Sequence, residues 1–333
     1  MTRALHRVAV IKPCCIGDCV MALPAISLLR QVLPDSRIDV FAGSHSSAIF
    51  TGQREIDAIH TIPDQPSAGA SLRLGLGLRG FSTVVLLDRS RYLRVALMLS
   101  QASQRAFAEA REPETRHESR VYLDVVAMLG YPVPTDPPLP HLAPIPTAAE
   151  RARALVDPAR GRYVVLHPGG AANPGTTMLE KRWPVERFTQ LATALANRGF
   201  TIVLSGGTGD VDLVETIRGK IGGAVSLAGK ADLRTTAEVI RHADLFVGGD
   251  TGVSHIAAAV GTPVVAVFGP TNPARYRPLG QRVTVLAPAA SWEIADRDLR
   301  TDTVAAARPS TSEVGIDEVL AACEGLLSER ASL

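Results

Sequence analysis

Along this chain, short apolar runs alternate with stretches in which apolar residues recur at helical spacing. Repeated almost from end to end, that alternation predicts a parallel α/β architecture. "RVAVIKP" reads as a first strand, and its continuous apolar character predicts burial on both faces. After the turn "CCIGD", Val20, Leu23, Ile26, Leu29 and Val32, widened by Leu28 and Leu33, predict a helix over Cys19 to Leu33. "RIDVFA", "IDAIHTI" and "STVVLLD" predict further strands, with helices between them and after "RYLRVALMLS". Glu118 to Leu129 predicts a helix that stops at Gly130.

"GYPVPTDPPLPHLAPIP" then interrupts regular structure with closely spaced prolines, a linker at about 131–146 that divides the chain into 1–145 and 147–333. Beyond it the alternation restarts. "RYVVLHPGG", "FTIVLSGGTGD", "DLFVGGD" and "TPVVAVFGP" predict strands; "PVERFTQLATALANRG", "VDLVETIRGKI", "LRTTAEVIRHA" and "GVSHIAAAVG" predict helices. A final amphipathic helix runs from roughly Ile316 to Leu327, with nothing in the sequence to say which half it packs on. The expected architecture is two Rossmann-like parallel-sheet domains facing across a cleft at the carboxyl ends of their strands.

Composition narrows the function classes. With 46% hydrophobic and 20% charged residues in 333, the chain is an ordinary globular one, and a net charge of +2 gives no general field for a polyanion. The arginines form no stripe with interleaved aromatics, so nucleic acid is not an expected partner. "VAVI" is too short for a signal-peptide core and no run approaches a membrane span, which predicts a soluble, cytoplasmic protein. Cys14, Cys15, Cys19 and Cys323 lack paired CxxC units and predict reduced thiols rather than a metal or disulfide site.

The candidate chemistry gathers at strand ends. "DLFVGGD" delivers Asp250 to the end of a strand and "TGVSH" opens a helix, whose first N–H groups and partial positive charge suit a phosphate. Gly248, Gly249 and Gly252 allow close approach, while Asp250, Thr251 and Ser254 offer capping or ligand oxygens. Two further strand-end turns, "HPGGAANPGTT" with Gly170 and "SGGTGD" with Gly206, are also glycine and hydroxyl, and three such loops would line one rim. Lys181 and Arg182 could neutralise a diphosphate or form a solvated basic pair, and Asp210, or Asp212, could accept from a ribose or cap a helix. His255 could touch the phosphate loop or pack its helix. In the first half Asp18, in "IGD", is either a helix cap or a general base. "GLGLRG" (Gly75 to Gly80) precedes a strand rather than following one, and "AVSLAGKAD" lacks the first glycine of a phosphate loop, so neither supports a dehydrogenase or a P-loop kinase.

"IKPCCIGDCVMALPAISLLRQVLPDSRIDVF", "VVLHPGGA...EKRWPVERFTQLATAL", "IVLSGGTGD" and "ADLFVGGDTGVSHIAAAVGTPVVAVFGPT" resemble the successive signatures of glycosyltransferase family 9, the ADP-heptose:lipopolysaccharide heptosyltransferases. "TRHESRVYLDVVAMLG" is similar to the family's helix before the linker, and the likeness runs nearly to residue 280. It implies a GT-B fold with an acceptor-binding amino-terminal domain, a nucleotide-sugar-binding carboxy-terminal domain and inversion at the anomeric carbon. Asp18 is implied as the general base and Asp250 as a neighbour of the donor sugar, with the N–H groups of Thr251 and Gly252 on the diphosphate and Lys181 nearby. The implied partners are an ADP-sugar donor and a glycolipid or small-molecule hydroxyl acceptor, with at most peripheral contact at the inner face of a membrane. No cofactor or resident metal is required, although magnesium could accompany the diphosphate.

Two departures bear on substrate. "KPCCIGD" carries cysteines where the family more often has small or hydroxylic residues, and "SGGTGD" presents threonine and aspartate where a glutamate often meets the ribose. The acceptor region shows no concentrated basic patch, though Arg89, Arg91, Arg94 and Arg105 could assemble one. A family-9 transferase with a small acceptor such as an aminocyclitol, a nucleotide-sugar epimerase, and a non-catalytic nucleotide-sugar sensor are the rival readings; the sequence gives no oligomeric state.

Overall fold

The computed structural model describes residues 6–108, 116–173, 176–295 and 308–331. The chain falls into two compact domains, residues 1–141 and 142–333. The first contains β1 (Arg7–Lys12), α1 (Ile16–Val32), β2 (Arg37–Gly43), β3 (Ala58–Ile62), α2 (Ala68–Gly77), β4 (Thr83–Leu86), α3 (Arg91–Leu99), β5 (Gln104–Phe107) and α4 (Glu118–Ala127). The strands form one parallel sheet in the order β3-β2-β1-β4-β5, with Val10 of the central strand opposite both Val40 and Val85. Val8 to Ile11 and Val84 to Leu86 are fully buried, as strands covered on both faces must be. Helices α2 and α3 pack together, and Leu78, Leu93 and Leu97 join Ala9, Ile11, Phe41 and Leu86 in one core cluster. Helices α1 and α4 make the other helical pair.

The second domain begins with α5 (Pro146–Leu155) and continues through β6 (Tyr163–His167), a two-residue hairpin of β7 (Ala172–Asn173) and β8 (Thr176–Thr177), α6 (Val185–Asn197) and β9 (Thr201–Leu204). Then follow α7 (Val211–Arg218), β10 (Val225–Ser226), α8 (Leu233–Arg241), β11 (Leu245–Gly249), α9 (Gly252–Ala259), β12 (Val264–Val267), α10 (Pro273–Tyr276), β13 (Val283–Leu286) and α11 (Ile316–Ala331). Its main sheet is parallel, in the order β10-β9-β6-β11-β12-β13. Val319, Cys323, Leu326 and Leu327 place α11 in the same core as Val164, Leu191, Val247 and Val265, which answers where the final helix packs.

The strands predicted from continuous apolar runs are the interior ones, together with β3. Besides the short β7–β8 hairpin, three strands of the two parallel sheets went unpredicted, β5, β10 and β13, and all three are sheet edges. Each is only partly buried, so none carries an unbroken apolar run. A further correction concerns "RYLRVALML", which is itself helix α3 rather than the segment before one; it buries Leu93, Ala96 and Leu97 at helical spacing. α5 also begins at the last proline of the linker, where a proline's fixed φ favours the first helical turn. Residues 131–145 have no regular structure. Leu142 N–H donates to the Ala259 carbonyl and Ile145 N–H to Glu238, so residues 142–145 belong to the second domain.

Trp183 anchors the second core: it is fully buried, stacks edge-on against Phe188 at 5.1 Å and donates Nε1–H to the Val314 carbonyl at 3.0 Å. Trp183→Ala is expected to lower the stability of the second domain by about 3–5 kcal/mol, read as a lower urea midpoint by circular dichroism. An unchanged midpoint would show that this core repacks without the indole.

Candidate functional site

In a parallel sheet all strands end on one side, so β9, β6 and β11, which are neighbours, deliver their three glycine-rich turns to one rim. Parts of the first turn, Pro174 and Gly175, lie outside the described residues. The turns meet one another closely. A Cβ on Gly170 would lie 2.6 Å from Thr251 Cγ2, one on Gly169 would lie 2.3 Å from Asp210 Cγ, and one on Gly249 would lie 3.0 Å from the Lys181 carbonyl oxygen. Gly170 also has φ +88°, followed by Ala171 at +68°, so the turn after β6 runs through the left-handed region where glycine is favoured. The crowding of small residues around Asp250 thus has its first cause in the packing of three loops against each other.

Asp210 is the tie. Its carboxylate accepts from Gly207 N–H at 3.0 Å and from Gly170 N–H at 3.3 Å, and pairs with Arg182 Nη2 at 2.9 Å. Arg182 in turn donates from Nε and Nη2 to the Gly170 carbonyl at 3.1 and 2.9 Å. The Asp210 side chain makes no capping hydrogen bond to α7, and it links the turns after β6 and β9. Gly206 sits beneath it, 3.0 Å from Asp210 Cβ by the same Cβ test. Asp212 is exposed.

Asp250 is buried and pairs with Lys181 Nζ at 2.6 Å, while Thr271 Oγ1 donates to the same carboxylate oxygen at 2.7 Å. Burial pushes its pKa up, but Lys181, Thr271 and the nearby His255 outweigh that and hold the carboxyl below the usual range. Lys181 and Arg182, read together as a basic pair, thus have separate carboxylate partners. Of the two N–H groups expected at a diphosphate, Thr251's already donates to the Gly249 carbonyl at 2.9 Å, whereas Gly252's, together with Val253's, has no partner inside α9. Ser254 Oγ donates to the Gly249 carbonyl at 2.6 Å, and His255 is buried on α9.

The first domain has its own charged rim. Lys12 ends β1 fully buried, with Nζ 3.2 Å from Asp18 Oδ2, 3.6 Å from Asp88 Oδ2 and 5.7 Å from the centre of the Tyr122 ring. Asp88 follows β4, the strand beside β1, so the two charges are brought together by register. Burial favours neutral lysine, but Asp18 and Asp88 more than offset it and raise the ammonium above its ordinary range. Asp18 sits in the first turn of α1, and its carboxylate accepts from Lys12, not from the helix's own N–H groups among the described residues. Burial raises it, with Lys12 opposing and Glu118 and Asp88 adding to the rise. An elevated carboxylate with one oxygen anchored is suited to accept a proton on the other.

Lys12, Asp88, Tyr122, Glu118 and Thr271 were not singled out in the sequence, although a lysine ending a doubly buried strand must find a counter-charge and so signals a carboxylate nearby. Arg89 forks onto Glu118 at 2.6 and 3.2 Å, whereas Arg91, Arg94 and Arg105 lie along α3 and β5, so the four arginines do not form one patch around Asp18. Cys14, Cys15, Cys19 and Cys323 are free thiols, and burial pushes Cys19 and Cys323 up to about 12. Among the described residues no group of three or more His, Cys, Asp or Glu is arranged to hold a metal ion.

His167, unnoticed in the sequence, ends β6 beneath these turns and is hydrogen-bonded through Nδ1 to Ser205 at 3.0 Å. Burial, opposed by Asp210, lowers it from 6.5 to about 4. Below pH 6.5 the unfolded chain therefore binds a proton that the folded chain refuses. Stability contributed by neutral His167 is expected to be complete above pH 6.5 and to fall by about 3 kcal/mol on acidification to pH 4. His167→Gln should flatten that part of the pH–stability curve in thermal melts; an identical curve would place the acid transition elsewhere.

The family model for glycosyltransferase family 9 (heptosyltransferase) matches residues 81–302, more than half of the chain. Lipopolysaccharide heptosyltransferase 3 of Escherichia coli is 26% identical over 306 residues, covering 85% of this chain and 89% of that one. Among solved structures, a family 9 glycosyl transferase from Veillonella parvula superposes with TM-score 0.81 at 21% identity, covering 98% of this chain and 99% of its own. The E. coli ADP-heptose LPS heptosyltransferase II does so with TM-score 0.79 at 19% identity, covering 98% and 99%. These likenesses carry the GT-B class of two parallel-sheet domains. By that match and by the two sheets built above, the chain belongs to glycosyltransferase family 9.

Proposed function

We propose that this protein is an inverting heptosyltransferase that moves a heptose from an ADP-sugar to a hydroxyl of the lipopolysaccharide inner core. Residues 1–145 take the acceptor and 147–333 the nucleotide sugar. The observation that carries the reading is Asp18, a carboxylate with a raised affinity for protons, held through Oδ2 by buried Lys12 at the end of β1. The relatives support the substrate class, since two of the three compared are named as lipopolysaccharide heptosyltransferases, one of them for ADP-heptose.

In this reading Asp18 takes the proton of the acceptor hydroxyl as that oxygen attacks the anomeric carbon. The bond from that carbon to the diphosphate oxygen breaks on the opposite side, and its electron pair leaves with ADP. The N–H groups of Gly252 and Val253 and the partial positive end of α9 face the developing negative charge, and Lys181 adds a full charge beside it. Asp250 orients Lys181 and lies beside the donor sugar. Thr251, Gly170, Gly206, Asp210 and His255 shape the loops that receive the nucleotide. No step passes through a resident metal or cofactor, and a magnesium ion on the diphosphate would arrive with the donor.

Calorimetric titration with ADP, GDP, UDP and dTDP is expected to show selective ADP binding; preference for another nucleotide would overturn the donor. Asp18→Asn should keep the ADP dissociation constant within about two-fold while lowering kcat/KM for sugar transfer at least about 100-fold. Retained transfer in that variant, with normal melting, would remove Asp18 as the base.

A further inference from the structure

The surface of the first domain is chemically lopsided. Four of the eight exposed large apolar side chains among the described residues lie on one helix pair: Leu72 and Leu76 on α2, Val95 and Met98 on α3. Leu72 and Leu76 are one helical turn apart, as are Val95 and Met98, so each helix presents a stripe rather than scattered residues. The helices touch through Gly75, where an added Cβ would lie 2.7 Å from Leu99 Cβ and 3.0 Å from the Ala96 carbonyl oxygen. Close approach at that point sets the two stripes beside one another. Single exposed apolar residues need no explanation, but a grouped set on one helix pair does.

Charge gives the second half of the argument. Residues 65–108 contain six arginines, Arg73, Arg79, Arg89, Arg91, Arg94 and Arg105, and one acid, Asp88. The segment is net +5 in a chain whose total is +2, so the remainder is net acidic. Asp88 is turned to Lys12 and Arg89 to Glu118, both on the rim described above. The other five arginines have no carboxylate partner among the described residues. Arg91, Val95 and Met98 share one stripe of α3, and Arg105 reaches Met98 Sδ at 3.9 Å, so cationic heads and apolar bodies occupy the same face. Arg94 lies over the Phe107 ring and donates to the Ala108 carbonyl.

We infer that the α2–α3 face is a docking surface for an anionic lipid bilayer. Aliphatic and thioether side chains enter the headgroup boundary while arginines, their stems on apolar surface, meet lipid phosphates. A second copy of this chain fits the face less well, because a self-complementary contact would set five unpaired arginines against five more. A phosphate backbone alone leaves the leucines, valine and methionine without a role. No helix among the described residues is long and apolar enough to cross a membrane, so contact through this face is peripheral. The inference is independent of the transfer chemistry proposed above and stands or falls separately from it.

Co-sedimentation of the full chain with vesicles tests it. The protein should sediment with mixed phosphatidylcholine–phosphatidylglycerol vesicles, at least about ten-fold less with phosphatidylcholine alone, and be released by salt at ~0.5 M. The combined variant Leu72→Ser, Leu76→Ser, Val95→Ser, Met98→Ser should lose about ten-fold in partitioning. So should Arg73→Gln with Arg79→Gln, a milder pair that leaves every apolar contact in place. Both must keep the wild-type circular dichroism spectrum and nucleotide affinity. No sedimentation of the wild type with anionic vesicles, or undiminished sedimentation of the folded arginine pair, would overturn the inference. So would a concentration-dependent dimer that the same substitutions dissolve, since the face would then be an interface between copies.

Discussion

One half-buried ion pair, Arg182 to Asp210 at 2.9 Å, fixes the geometry on which the carboxy-terminal rim depends. Parallel strands align the ends of β9, β6 and β11, but alignment alone leaves three glycine-rich turns with many conformations open to them. Asp210 removes that freedom by holding N–H groups of two turns at once, and Arg182 closes the circuit on the Gly170 carbonyl. Thr251 then packs on Gly170 and the Lys181 backbone on Gly249, so the third turn is positioned by the other two. Removing Arg182 would leave the buried Asp210 carboxylate without its counter-charge, which is costlier than the net worth of the pair.

The amino-terminal rim follows the same logic with the signs exchanged. There the central charge is a lysine, and two carboxylates converge on it, one from the first turn of α1 and one from the loop after β4. Each rim is built where interior strands run out: Lys12 ends β1, Asp88 follows β4, His167 ends β6 and Asp250 follows β11. Strands covered on both faces accept a polar group in mid-strand only where partners satisfy it, as Arg7 and Arg37 satisfy Asp39 in β2, so most of the chemistry gathers at their ends.

That rule explains what could be read in advance. Interior strands announced themselves through runs such as "VAVI" and "VVLL", and the glycine turns were visible as breaks after them. Edge strands β5, β10 and β13 were invisible because partial exposure removes the unbroken apolar signal. Asp18, Lys181 and Asp250 were legible from their positions and from family likeness, but the partner of each was not. Pairing of Lys181 with Asp250 joins residues 69 positions apart, and Arg89 with Glu118 joins residues 29 apart. Local spacing carries no information about such pairs; the sheet order does.

The Lys181–Asp250 pair has a consequence for turnover. The ammonium is already paired with Asp250, so in the reaction proposed above a diphosphate would meet it by competing with a carboxylate at 2.6 Å rather than by filling a vacant charge. Association is then an exchange of one ionic contact for another, and its net attraction is smaller than the lysine's full charge suggests. The same exchange works in reverse once the sugar has gone. In that proposal Asp250 would reclaim the lysine as the spent nucleotide leaves.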